Sequence, residues 1–148
     1  MKLNLGCGDT PMAGWINVDS YPGPGVMLAD LNQPWPWAES SVTAARAWHL
    51  FEHLHSPVHT MNELWRVLMP DAIAEIQVPT VDSFGAWASP VHVSYWHRRT
   101  FLHFEAGAVH RERWGERDGI IARFRTVKEH VDDTVDGINL TIWLQAVK

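Results

Sequence analysis

Gly6-Cys7-Gly8 and Asp19 are the residues whose types and spacing could do chemistry together. They stand in the opening stretch LNLGCGDTPMAGWINVD, Leu3 to Asp19. Glycines at the carboxyl end of a buried strand let backbone approach a ligand and offer N–H groups to an anion. An acid that ends the next strand can accept both hydroxyls of a ribose, because a carboxylate has two oxygens and only accepts. Together they describe half of a nucleoside site. Further along, His92 and His97 lie in an aromatic, irregular stretch, where an imidazole could take a proton near neutral pH.

The elements that must position these groups follow from pattern. The chain has 148 residues, 46% hydrophobic and 20% charged, which suits a single domain, 1–148, with a real core. No apolar run reaches the ~18 residues of a membrane span, and the N-terminus lacks a secretory pattern. One cysteine makes no internal disulfide, which fits a reducing cytoplasm. Net charge is −5, yet residues 98 to 128 carry eight Lys or Arg against four acids, a local +4. Such a segment could meet an anionic partner, although a solvated face is the plainer explanation. Nothing in the composition indicates nucleic acid or a membrane.

Lys2 to Gly6 reads as a first strand and Trp15 to Val18 as a second, with a link too short for more than one helical turn. The dinucleotide fingerprint fails, since Pro11 stands where its third glycine belongs. Val26 to Ala29 and Ala44 to Trp48 are further strands. Pro34-Trp35-Pro36-Trp37 is barred from a helix interior. Pro57 to Leu68 is the clearest helix, with Val58, Met61, Leu64, Trp65 and Leu68 on one face and Glu63 and Arg66 opposite. Ala72 to Val78 alternates as a fifth strand. Arg99 to Phe104 suggests a short helix, and Arg123 to His130 with Ile138 to Val147 a terminal hairpin.

With these elements in place, the chain resembles the class I S-adenosylmethionine-dependent methyltransferases, and most of all a short bacterial and phage-type branch. LNLGCGD matches the family's first glycine motif, and NVD, residues 17 to 19, the acid after strand two. Ala29-Asp30-Leu31 matches the adenine-side segment. AWHLFEHL, residues 47 to 54, matches the end of strand four, and NELWRVLMP, residues 62 to 70, the helix and proline before strand five. The resemblance implies an α/β, Rossmann-like sheet, mostly parallel, with a C-terminal antiparallel hairpin and reduced helices between the first strands. It implies a cofactor-binding core at 1–79, a substrate-side insertion at 80–122 and a terminal hairpin at 123–148.

The implied cofactor is S-adenosylmethionine. Gly6, Cys7 and Gly8 would pass its methionine portion and Asp19 would hold the ribose. Asp30 would accept from the adenine amino group, with Leu31 packed on the ring. Trp48 and His49 would line the pocket opposite. His92, or His97, would be the base if the acceptor is a hydroxyl. No residue is assigned to a metal on this reading. Two departures, Asp71-Ala72 in place of a glycine pair and Thr43 in place of an acid, point to the alternative of a degenerate, non-catalytic S-adenosylmethionine-binding or interaction module.

A different chemistry is spelled by His49-Leu50-Phe51-Glu52-His53. This is the H-x-x-E-H pattern of one class of zinc peptidases, in which two histidines a helical turn apart bind zinc and the glutamate is the base. It requires a helix and a third ligand. A last expectation concerns assembly. Short links containing Pro11, Pro22 and Pro24, and a chain that begins at strand one, should leave one sheet face without helices. An apolar patch there would favour a two-fold homodimer, unless tryptophans 15, 35, 37 and 48 fold over it.

Overall fold

Alternation sets the two faces of the sheet. The computed structural model describes residues 1–148, and its strands are β1 (Lys2–Leu5), β2 (Ile16–Asp19), β3 (Val26–Leu28), β4 (Val42–Trp48), β5 (Leu68–Pro79), β6 (Phe124–Thr134) and β7 (Gly137–Ala146). They form one seven-stranded sheet in the order β3-β2-β1-β4-β5-β7-β6. The first five strands pair in parallel, and β7 enters antiparallel between β5 and β6. The α/β, mostly parallel sheet with its antiparallel hairpin is the architecture that the motifs imply.

One face carries the core. Leu3, Leu5, Val18, Ala45, Ala47, Ala74, Ile76 and Val78 lie there, continued on β7 by Leu140, Ile142 and Leu144. Against them packs α1 (Pro57–Val67) through the buried Met61, Leu64 and Val67. Pro57 occupies its first turn and Ser56 accepts from the His59 N–H, so both ends of the local signal act as expected. The helix stops one residue earlier than the apolar pattern, because Leu68 already pairs with Val42. Strand β5 therefore starts before Met69-Pro70-Asp71, with a register shift across the irregular pairing and Asp71 at φ 63°.

Glu63 and Arg66, expected on the solvent side, instead hold the proline-tryptophan segment onto α1. The Trp35 N–H donates to Glu63 at 2.6 Å, and Arg66 donates to the Trp37 and Trp35 carbonyls at 2.9 and 3.0 Å. Glu63 and Arg66 also pair with each other through two contacts of 2.7 Å. Trp35 and Trp37, at right angles with centroids 5.9 Å apart, are thereby buried where a helix would otherwise cover the sheet. The Arg66 guanidinium, aided by the Trp35 N–H and opposed by burial, holds the Glu63 carboxyl below its ordinary range. A depressed acid stabilises the fold above its unfolded pKa of about 4.3 and loses that contribution as pH falls through the folded value. Wild type should exceed Glu63→Gln by about 1.5–3 kcal/mol at neutral pH. In urea unfolding that gap should close as pH drops below about 4; a pH-independent gap would remove the clamp.

The opposite face is open, as expected, and it is mixed, with a polar network running beside apolar side chains. No helix lies in the links between β1, β2 and β3. Asn4 donates to Asn17 at 2.9 Å, and Arg46 donates to Asn4 at 3.3 Å. Arg46 also lies 3.7 Å over the Trp48 ring and 3.9 Å from Glu75. Glu75 accepts from the indole N–H of Trp48 at 2.8 Å and of Trp143 at 3.0 Å. This lattice crosses β2, β1, β4, β5 and β7, and it lets water wet the face. Trp35 and Trp37 sit on the core side and do not cover it. Trp15 and Trp48 do lie on this side, and Met12, Trp15, Ile73 and Trp143 line a shallow cleft there, so the face keeps an apolar component.

Candidate functional site

Strand order reverses between β1 and β4, and ligands of open α/β sheets lie at the carboxyl ends of strands beside such a switch. Two clefts meet there. One, of about 110 Å³, is lined by Gly6, Asp19, Asp30, Leu31, Leu50 and His53 among others. The second, more open, of about 490 Å³, runs from Gly8 past Asp19 to Tyr21 and Val26. Asp19 is common to both.

Gly6 is the position where only glycine serves. Its φ is 61°, and an added Cβ would stand 2.9 Å from the Leu50 side chain. Cys7 is 1% exposed, and burial, then the Asp19 charge, pushes its thiol up, so its side chain belongs to the core. Its N–H donates to Val18 at 3.0 Å. The Gly8 N–H donates to Asp19 at 2.9 Å, and the other Asp19 oxygen accepts from Tyr21 at 3.1 Å. The acid is thus oriented by backbone, with lone pairs left over for a ligand. Asp30 is held by the Asn32 N–H at 2.9 Å, which keeps its carboxyl below the ordinary range. Leu31 is 4% exposed and lines the same cleft.

Two of the residues proposed from sequence lie elsewhere. Trp48 shares a side of β4 with Arg46, so it belongs to the open face and does not line the cleft. His49, at φ 50°, turns toward a separate cleft of about 350 Å³ that it shares with His92, Pro79, Gly85 and Asn139. Leu50 and His53 take the places opposite Gly6 and Asp30. They stand within the AWHLFEHL motif, so the segment was legible and the side chains that matter in it were not.

The turn after β4 is a three-residue 3₁₀ turn, Phe51–His53, and not an α-helix, so His49 and His53 do not form the zinc-peptidase pair. His49 Nδ1 instead lies 3.4 Å from Glu52 Oε1. At that distance the contact is at the outer limit of a hydrogen bond, and both Glu52 oxygens are buried with no closer donor. Glu52 nonetheless pushes the His49 pKa up, against burial, which pulls it down. His92 Nδ1 faces the Ala86 carbonyl at 3.0 Å and must carry the proton there, so its lone pair is on Nε2. His97 is occupied differently. It caps the short helix Arg98–Phe101, with Nδ1 accepting from the Arg99 N–H, and its Nε2 lies 3.3 Å from Asp82.

Three of the eight basic residues of this segment have acid partners. Arg98 pairs with Glu129, Arg123 with Glu112 at 2.9 Å, and Arg117 with Asp118 at 2.9 Å. Arg111 is buried, donating to the Ala122 and Ile121 carbonyls. Glu112 and Asp118 are already among the segment's own acids, so only Glu129 is added to the balance from outside it.

No protein-family model matches the sequence, and no curated protein matches it. Solved structures do match over nearly the whole chain. An S-adenosylmethionine-dependent methyltransferase from Methanosarcina mazei aligns at TM-score 0.62 and 16% identity, over 99% of this chain and 92% of that one. One from Archaeoglobus fulgidus aligns at 0.68 and 15%, over 97% and 85%. The 1,6-didemethyltoxoflavin-N1-methyltransferase of Burkholderia thailandensis, with bound 1,6-didemethyltoxoflavin and S-adenosylhomocysteine, aligns at 0.65 and 13%, over 99% and 71%. The chain has the class I S-adenosylmethionine-dependent methyltransferase fold. At these identities the likeness is one of fold.

Proposed function

We propose that this chain transfers a methyl group from S-adenosylmethionine to an acceptor bound beside residues 80–97. The observation that carries the reading is Asp19, fixed by backbone N–H groups at the switch point, between a left-handed Gly6 and the Asp30-Leu31 wall. Asp19 takes the ribose hydroxyls, Asp30 the adenine amino group, and Leu31 and Leu50 the ring faces. Gly6 lets the methionine portion pass close. The inner cleft of about 110 Å³ opens past Asp19 into the one of about 490 Å³, and together they fall within the ~300–1,000 Å³ of ordinary ligand pockets.

The sulfonium already makes the methyl electrophilic, so the protein's work is in-line positioning, exclusion of water and, for a hydroxyl, removal of its proton. His92, with its lone pair on Nε2 and a place in the cleft beside His49, is suited to the last task. Phe84, Trp87 and Tyr95 are exposed in the same loop, with Trp87 and Tyr95 stacked at 4.2 Å. They favour an apolar or aromatic acceptor. No helix is long and apolar enough to cross a membrane, and the lone buried Cys7 supports a reducing cytoplasm as the compartment.

A degenerate binding module remains the second reading, motivated by Asp71 and Thr43. Cofactor at 100 times its Kd should stabilise the fold by about 2.7 kcal/mol on either reading. Radiolabelled methyl transfer to a panel of hydroxyl and amine acceptors separates them. Neither stabilisation nor transfer would end both.

A further inference from the structure

We propose that Glu52, His53 and His92 form a binding site for a divalent transition metal of the zinc type. One ligand atom from each lies within 4.8 Å of the other two. Three features support coordination over simple packing. First, Glu52 is 1% exposed and neither carboxylate oxygen accepts a hydrogen bond, a costly state for a buried group that the 3.4 Å contact of Oε1 with His49 relieves only in part. Second, each histidine directs Nδ1 at a backbone carbonyl, His53 at Val91 at 3.2 Å and His92 at Ala86 at 3.0 Å. A carbonyl only accepts, so both Nδ1 atoms carry protons and both Nε2 lone pairs are available. That arrangement is how metal-ligating imidazoles are usually fixed. Third, the two rings meet edge to face with centroids 4.9 Å apart, close enough to share one ion.

The turn that carries the site is anchored as a metal centre requires. The Glu52 carbonyl accepts from the Val93 and Ser94 N–H groups, and Ser94 Oγ donates to the Phe51 carbonyl at 2.8 Å. These bonds tie the 3₁₀ turn to the loop that bears His92, so the three ligands are held from both sides. Two imidazoles and one carboxylate suit zinc and its neighbours better than magnesium or calcium, which prefer all-oxygen shells. Three protein ligands leave a fourth position for water or another oxygen.

The site stands where two clefts adjoin. His53 lines the one with Gly6 and Asp30, and His92 lines the one with His49. The next step rests on the methyltransferase reading. The His92 Nε2 lone pair then belongs to the ion, and His92 is a ligand in place of the base. The open position would take a hydroxyl oxygen of the acceptor, whose proton a bound cation releases more readily to solvent. The oxygen lone pair forms the new C–O bond, and the C–S electrons return to sulfur as a neutral thioether. The H-x-x-E-H motif is then a metal motif in part, with Glu52 a ligand and His92 replacing His49.

The test uses untagged full-length protein stripped with EDTA. Zn²⁺ is titrated against a chromogenic chelator, and Co²⁺ is followed by its visible absorption. One ion per chain is expected. His53→Ala and His92→Ala should each weaken it by more than about 100-fold, beyond the 10–100-fold effect of outer partners. Glu52→Gln, which keeps shape, should lose the Co²⁺ spectrum while remaining folded by circular dichroism. His103 and His110, stacked at 4.8 Å elsewhere, are the control, and His103→Ala with His110→Ala should bind as wild type. No uptake, uptake unchanged in His53→Ala and His92→Ala, or loss only in the control would overturn the site. S-adenosylmethionine binding to the same stripped protein is measured separately. Cofactor binding without metal uptake rejects the metal site alone, and metal uptake without cofactor binding rejects the methyltransferase reading alone.

Discussion

Asp19→Ala should weaken S-adenosylmethionine binding by about 10- to 150-fold, the equivalent of about 1.5–3 kcal/mol for charge-assisted hydrogen bonds. The carboxylate is already held by Gly8 at 2.9 Å and Tyr21 at 3.1 Å, so its orientation costs nothing further when the ribose arrives. The same two bonds mean that alanine also frees two N–H groups and loosens the loop. Asp19→Asn is the sharper companion, since it retains one acceptor oxygen and removes the charge, and it should fall between wild type and alanine. Calorimetry on both variants, with circular dichroism to establish the fold, decides the matter. Unchanged affinity in folded Asp19→Ala would sink the ribose role. Loss in both variants with matched melting temperatures would separate binding from stability.

The largest effect on stability is expected at Trp96. It is 0% exposed, packs on Phe51 at 5.4 Å and on Phe101 at 5.0 Å, and donates its indole N–H to Ser94 at 3.1 Å. Truncating so large a buried ring to alanine removes transfer free energy and leaves a cavity, about 3–5 kcal/mol in all. Trp96→Phe, which keeps most of the volume, should cost roughly half as much, with part of that from the indole donor that Ser94 Oγ loses while it still donates to the Phe51 carbonyl. Chemical denaturation is the measurement. A Trp96→Ala loss below about 1 kcal/mol would show that the 80–97 segment is not anchored by this ring. Because Ser94 and Phe51 belong to the same cluster as the Glu52 turn, the variant should also slacken the His92 loop, visible as faster amide exchange at Val93 and Ser94.

Much of the architecture is written locally. Ser56-Pro57 and apolar residues three and four apart specify α1 whatever surrounds it, because a cap and a periodic face act within one helix. Alternation marks β4, β5 and β7, and a left-handed Gly6 follows from glycine's freedom at a tight turn. The order of the motifs then fixes the sheet order, since each parallel crossover has few permitted routes.

Other features depend on distances that no local rule contains. Trp48 and His49 are neighbours in sequence, yet one joins Arg46 on the open face and the other enters the cleft with His92. The side chosen by a strand's last residue turns on parity, and His49 leaves the strand at positive φ. The open face reads as a mix of Trp, Arg and Glu along the chain. Its polarity arises only when Asn17, Asn4, Arg46 and Glu75 line up across adjacent strands and bond to one another. Arg98 of the basic stretch meets Glu129 only because the hairpin brings that acid to it. Glu52 and His92 meet although α1 and β5 lie between them in sequence, and His97, the equally good candidate by composition, becomes a helix cap. Residue types and local periodicity determine which chemistries are available, whereas convergence is decided by packing, because burying Trp96 against Phe51 and Phe101 draws the loop over the strand ends.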